Sequence, residues 1–268
     1  MLMRPFGTTT REVVVVGQGT WHMGESRSHA NDEVAALRLG LDLGMTHIDT
    51  AEMYADGGAE RIVAEAIAGR RREVFLATKV LPHNASYAGT IRACEGSLKR
   101  LGTDYVDLYL LHWWSTRYPI EDTMRAMVEL VRRGLVRYVG VSNFDVDQMK
   151  AARAALGPVP LACNQVLYHL RDRSIERDVL PWCERHTVAV VGYTPLARGG
   201  FMRGAVAAVA KRHGVTPRQV TLNYLTRRKA LFTIPKASRA EHVRENAAAL
   251  ELTLSRADLA AIDAEFPV

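Results

Sequence analysis

Residues 46–54, THIDTAEMY, place a carboxylate at the mouth of an apolar run and a phenol five residues later: Asp49 and Tyr54. Side chains alternate along a strand, so His47 and Asp49 face one way and Thr46, Ile48 and Thr50 the other. A carboxylate in that position is costly unless paired. Its expected partner is Lys79, which closes the next apolar run, as His112 closes the one after. These residue types allow three chemistries. Tyr54 can transfer a proton. Lys79 can form an imine with a carbonyl substrate. Or His47, Asp49 and His112 can hold a metal for hydrolysis. The metal would need more His or Asp ligands on later runs, yet those end in Ser142-Asn143, Asn164-Gln165 and Tyr193. The imine leaves Tyr193 and Lys236 unexplained.

Positioning such groups together requires a particular set of elements. Apolar runs rich in Val, Ile, Leu and Tyr recur along the chain: VVVVGQGTW, HIDTA, VFLATKV, DLYLLHW, VRYVGVSN, ACNQVLY, AVVGYTPL and LFTIPKA. Nearly continuous apolar runs suit parallel strands covered on both faces. Helical spacing alternates with them. Asn31 is expected to cap a helix carrying Val34, Leu37 and Leu41 and closed by Gly44. Ile62, Val63, Ala66 and Ile67 mark a second that stops at Gly69. A third spans 88–101, and Met124, Met127, Val128 and Val131 mark a fourth, stopped by Gly134. Others are expected over 145–156, 174–186, 204–213, 216–228, 239–250 and 255–265. Eight strands alternating with helices predict a (β/α)8 TIM barrel, whose chemistry sits at the C-terminal strand ends. Those ends read Thr20-Trp21, Asp49, Lys79, His112, Ser142-Asn143, Gln165, Tyr193 and Lys236. Packing has no use for such a ring. A doubly wound sheet would need GxGxxG after its first strand; GQGTWHMG puts His22 at the third glycine. With no linker or repeat array, residues 1–268 are expected to form one domain.

Composition narrows the class. Of 268 residues, 48% are hydrophobic and 24% charged, an ordinary globular balance. No apolar run approaches the roughly 18 residues of a membrane helix, and Val13–Val16 is too short for a signal peptide. Cys94, Cys163 and Cys183 lack CxxC spacing and read as reduced thiols in a cytoplasmic protein. The net charge is +6, but Arg residues are scattered, often in last turns of helices, as at Arg70–Arg72 and Arg132–Arg133. No basic block interleaves with aromatics, so a small anionic ligand is expected rather than nucleic acid or a membrane.

The set HIDTAEMY, ATKV, LLHW, GVSNF, NQVLY, GYTPL and IPKAS…REN, in that order and spacing, resembles the aldo-keto reductase superfamily and its bacterial NADPH-dependent aldehyde and 2-oxoaldehyde reductases. The resemblance covers nearly the whole chain. It implies a monomeric barrel with an N-terminal β-hairpin capping its bottom, reducing aldehydes and some ketones with NADPH, or with NADH. It implies a catalytic tetrad of Asp49, Tyr54, Lys79 and His112. Hydride delivered to a carbonyl carbon leaves an alkoxide that needs a proton. Tyr54 would give it, with Lys79 lowering a phenol pKa ordinarily near 10, Asp49 keeping Lys79 charged, and neutral His112 orienting the substrate oxygen. A cofactor-binding regulatory protein on the same fold is the alternative.

By the same resemblance, Ser142, Asn143 and Gln165 would hold the nicotinamide carboxamide and Tyr193 would stack on its ring. Gly19, Thr20, Trp21 and Asp49 would lie alongside. Thr194, Pro195, Leu196, Gly199 and Gly200 would line the pyrophosphate. Lys236, Ala237, Ser238, Arg239 and His242 would face the 2′-phosphate, with Glu245 and Asn246 near the adenine. Ala237 stands where the family has a serine and His242 where it has an arginine, with Arg239 able to compensate. The expected preference for NADPH is therefore modest, and greater at pH 6 than at pH 8 if His242 titrates normally. Trp21, Tyr54, His112, Trp113 and Trp114 would line an open aromatic substrate pocket, because the chain stops at Phe266-Pro267-Val268, before the tail that covers the site in many relatives.

Overall fold

A computed structural model describes residues 2–199 and 203–268. Its frame is a sheet of eight parallel strands in consecutive order: β3 (Gln18–Gly19), β4 (His47–Asp49), β5 (Phe75–Val80), β6 (Val106–Leu111), β7 (Val136–Ser142), β8 (Leu161–Leu167), β9 (Ala189–Tyr193) and β10 (Leu231–Thr233). Parallel bridges Val16–Thr233 and Gly19–Lys236 join the two ends and close the sheet on itself. The fold is a (β/α)8 barrel.

The hairpin β1 (Met3–Pro5) and β2 (Glu12–Val14) precedes the barrel. VVVVGQGTW is thus not one strand. Val13 and Val14 belong to the hairpin, and only Gln18 and Gly19 enter the barrel as a strand. The hairpin delivers Phe6, fully buried against Phe75, Phe232 and His47, as a plug in the barrel floor. Gly7 makes the turn possible. Its φ is +54°, and a Cβ there would sit 2.1 Å from the Ala162 carbonyl.

Helices pack around the strands: α1 (Ala30–Asp42), α2 (Gly58–Ile67), α3 (Tyr87–Leu101), α4 (Ile120–Arg132), α5 (Val146–Leu156), α6 (Val179–Arg185), α7 (Gly204–His213), α8 (Pro217–Leu225), α9 (Ala240–Ala248) and α10 (Arg256–Glu265). Side chains fix several starts. Ser86 accepts from Gly89 N, while Asp145 with Gln148 and Thr216 with Gln219 form reciprocal capping boxes. Asn31 is not a cap; α1 begins before it, with His29 in that place and no side-chain bond. The stretch 174–186 divides into a short 3-10 turn, Ser174–Glu176, and α6.

Strand register explains the placement of the site. Inward positions run Phe75, Ala77, Lys79 on β5 and Leu108, Leu110, His112 on and after β6; the four apolar members belong to the buried barrel interior. Every second residue is apolar until the last, which is polar. Lys79 and His112 are thus the top of a ladder whose lower steps are packing.

Candidate active site

Four side chains meet at the C-terminal rim. Lys79 Nζ lies 2.7 Å from Asp49 Oδ2, 2.8 Å from the Thr50 carbonyl and 3.4 Å from Tyr54 Oη. Lys79 is fully buried and Asp49 nearly so. Asp49 Oδ1 accepts from Gln165 Nε2 at 2.7 Å, and Thr20 Oγ1 donates to the Asp49 carbonyl. Neither charge is left unpaired, as burial demands. Tyr54 opens a 3-10 turn in which Ala55 and Asp56 are left-handed, and its ring meets that of His112 edge-on, 5.8 Å between centroids.

The electrostatics follow from this packing. Burial works against the Lys79 ammonium, but Asp49 and Tyr54 outweigh it and hold its pKa above the ordinary value. Burial pushes the Tyr54 phenol up; Lys79 pulls it back without winning, and Asp49 adds to the rise. The net acidification expected from Lys79 is therefore not what the protein alone provides: the attraction offsets part of a larger desolvation cost. Tyr54 holds its proton at neutral pH. Burial, with help from Lys79, drops His112 to about 2, so its imidazole is neutral.

A second tier braces the first. Ser142 Oγ donates to the Gln165 carbonyl, and Asn143 Nδ2 donates both to Ser142 Oγ and to the His112 carbonyl. Tyr193 Oη donates to Asn143 Oδ1 at 2.8 Å. Asn143 adopts φ +61° to do this. Among the described residues seven non-glycine positions have positive φ; His22, Asn143, Thr194 and Ala197 line the cavity described next, and Ala55 and Asp56 directly follow Tyr54. Strain of this kind gathers where a site must be shaped against local preference.

A cavity of about 660 Å³ runs from Tyr54, His112, Trp21 and Trp113 past Asp49, Asn143, Gln165 and Tyr193 to Gly19, Thr20, Thr194, Pro195, Leu196 and Gly199, and ends at Lys236 and His242. Trp113 stacks on His112 with centroids 3.9 Å apart. Gly19 is needed on this wall, since a Cβ would sit 2.5 Å from the Ile234 carbonyl. Not every expected residue is there. Trp114 packs against Phe144 instead. Ser142, Ala237, Ser238, Arg239, Glu245 and Asn246 do not line the cavity; Ser238 and Arg239 bond to Lys236 and His242, which do, and Ser142 acts through Asn143. Asn246 is buried, its Oδ1 without a partner among the described residues. Gly200 lies outside the described residues.

Six lining residues escaped the sequence reading: His22, Met53, Ala197, Arg218, Ile234 and Pro235. The first two flank recognised motifs. Arg218 sits on α8, far from any strand end, and only the packing of α8 against α9 brings it in. His47 is one layer below the rim, edge-on to Phe6 and Phe75, with both ring nitrogens unbonded among the described residues and its pKa lowered to about 3 by burial. His242 is lowered too, by burial first and then by Arg218 and Arg239. The titration expected between pH 6 and 8 therefore moves below the ordinary imidazole value.

The cavity's lining suits a dinucleotide: Asn143 and Gln165 could hold a carboxamide, Gly19 and Gly199 give backbone close approach, and Lys236 is cationic. Residues 15–265 match the profile described as the Aldo/keto reductase family. The chain is 49% identical over 258 residues to the methylglyoxal reductase YeaE of Escherichia coli strain K12, covering 94% of this chain and 90% of that protein. A crystal structure of an aldo-keto reductase from Klebsiella pneumoniae in complex with NADPH, 46% identical, superposes with a TM-score of 0.92 over 100% of this chain and 96% of that one. The thermostable aldo-keto reductase Tm1743, solved with the inhibitor epalrestat, is 40% identical with a TM-score of 0.94, over 98% and 99% of the two chains.

Proposed function

The chain belongs to the aldo/keto reductase family, and from that premise we propose that this NADPH-dependent reductase converts 2-oxoaldehydes and aromatic aldehydes to alcohols, with Tyr54 as the proton donor. The observation that carries the reading is the buried chain Asp49–Lys79–Tyr54 opening on the same cavity as His112.

Gln165, Asn143 and Tyr193 would hold the nicotinamide end of the cofactor, Thr194 to Leu196 and Gly199 its pyrophosphate, and Lys236 the far end. When bound, NADPH supplies the hydride. The protein's own part is the proton and the placement of the carbonyl. Tyr54, neutral at physiological pH, gives its proton to the substrate oxygen as negative charge builds there. Lys79 stabilises the tyrosinate left behind, and Asp49 keeps Lys79 charged and fixed. Neutral His112 donates a hydrogen bond to the same oxygen and cannot compete as an acid. Trp21 and Trp113, each about 40% exposed, form an open apolar mouth, which favours small aldehydes over bulky ketones. The reading takes residues 1–268 as one catalytic domain working as a monomer in the cytoplasm. The buried free thiols of Cys94, Cys163 and Cys183 are consistent with a reducing compartment.

The test is the loss of NADPH absorbance on adding methylglyoxal or benzaldehyde. Turnover supports the reading. NADPH binding without oxidation of the cofactor by any aldehyde would favour a regulatory role instead.

A further inference from the structure

The cationic end of the cavity is built differently from what the sequence suggests. Lys236 is exposed and donates to Ser238 Oγ, and exposed Arg239 is turned to His242. His242 reaches the cavity, but as a neutral imidazole it brings no charge. The remaining cation on that wall is Arg218. Its Nε donates to Glu245 Oε2 at 2.7 Å, a pair with both side chains largely buried. Among the described residues its other N–H groups have no hydrogen-bond partner.

Resting on the function proposed above, we infer that Arg218 is a determinant of cofactor choice: anchored by Glu245 through Nε, it offers its two Nη groups to the 2′-phosphate of NADPH. The fork suits a phosphate, because two parallel N–H groups can meet two of its oxygens. Anchoring matters as much as charge. A free arginine loses considerable side-chain freedom on binding, whereas Glu245 has already fixed this one. Glu245 also has a cost that Arg218 conceals. Without the guanidinium, its carboxylate would stand beside the incoming phosphate and repel it. The pair is thus a two-part filter in which Arg218 attracts the phosphate and Glu245 holds it in place to do so.

The experiment is fluorescence titration of NADPH and NADH into the full chain, wild type and variants, with no substrate present. Arg218→Ala should weaken NADPH about tenfold or more, the loss expected for a charge-assisted pair, and change NADH less than about threefold, because NADH lacks the phosphate. NADH binding also reports that the variant is folded. Arg218→Lys should recover part of the loss. Adding Glu245→Gln to Arg218→Ala should recover NADPH affinity relative to the single change, because the repulsive carboxylate is gone. Equal losses for both cofactors, or no loss for either, would overturn the inference while leaving the reductase reading intact. Wild-type protein that binds neither cofactor would overturn both.

Discussion

Replacing Lys79 by Met keeps the length of the side chain and removes its charge. At 3.4 Å the ammonium attracts a developing tyrosinate on Tyr54, worth about 5 kcal/mol at an effective dielectric of about 20. The proton is only part-way off in the transition state, so roughly half of that is felt. A loss of ~2–3 kcal/mol is on the order of 10²-fold in kcat. Stability falls as well. Among the described residues, Lys79→Met leaves a buried Asp49 carboxylate with Gln165 as its only side-chain donor and strips the Thr50 carbonyl of its bond to Nζ. Breaking a buried pair in this way costs about 3–5 kcal/mol. The two effects are separable. NADPH oxidation with saturating methylglyoxal reads the first, urea unfolding reads the second, and NADPH titration confirms that the folded fraction still binds cofactor. More than a third of wild-type kcat in folded Lys79→Met would refute the claim that this ammonium supports Tyr54.

Asp49→Asn should resemble Lys79→Met at pH 8 but recover as pH falls. Without the carboxylate, burial dominates and lowers the Lys79 pKa, so acid restores the charge; a kcat–pH profile that stays flat would count against this. Any rise in the ratio of NADPH to NADH affinity with acid should be centred below the ordinary imidazole value, because burial, Arg218 and Arg239 lower the His242 pKa; cofactor titrations at several pH values check it. Acid should destabilise the fold through Glu176, whose carboxylate is held down to about 2 by Arg173, Arg227 and Tyr168 despite burial. Its folded pKa lies below the ordinary 4.5, so its contribution is full above that value and lost as pH falls towards about 2. Glu176→Gln should flatten that part of the acid unfolding curve.

The barrel was legible in the sequence because it is a local pattern repeated along the chain, and the strand-end positions of Asp49, Lys79 and His112 were legible with it. An inward position on a strand recurs every second residue, so a polar residue closing an apolar run announces itself, as Lys79 does after Phe75 and Ala77. What stayed hidden depends on contacts between distant segments. Arg218 looks like one more surface arginine on a helix until Glu245 and the α8–α9 packing turn it to the cavity. Trp114 follows Trp113 in sequence, yet one ring stacks on His112 and the other packs on Phe144. VVVVGQGTW reads as one strand because its composition is uniform; its division between hairpin and barrel is set by partners, Met3–Pro5 for one part and Ile48-Asp49 for the other. The sign of the Tyr54 shift was also out of reach, since burial outweighs the attraction of a neighbour that the sequence does reveal.

The most direct test of the proton donor is Tyr54→Phe, which removes one oxygen and leaves the ring against His112. Methylglyoxal reduction and NADPH binding should be measured on the same preparation. Turnover should drop by roughly 10²–10⁴-fold, while NADPH affinity stays within about twofold of wild type, because the phenol gives the proton and little else. Turnover above about a tenth of wild type would contradict Tyr54 as the acid.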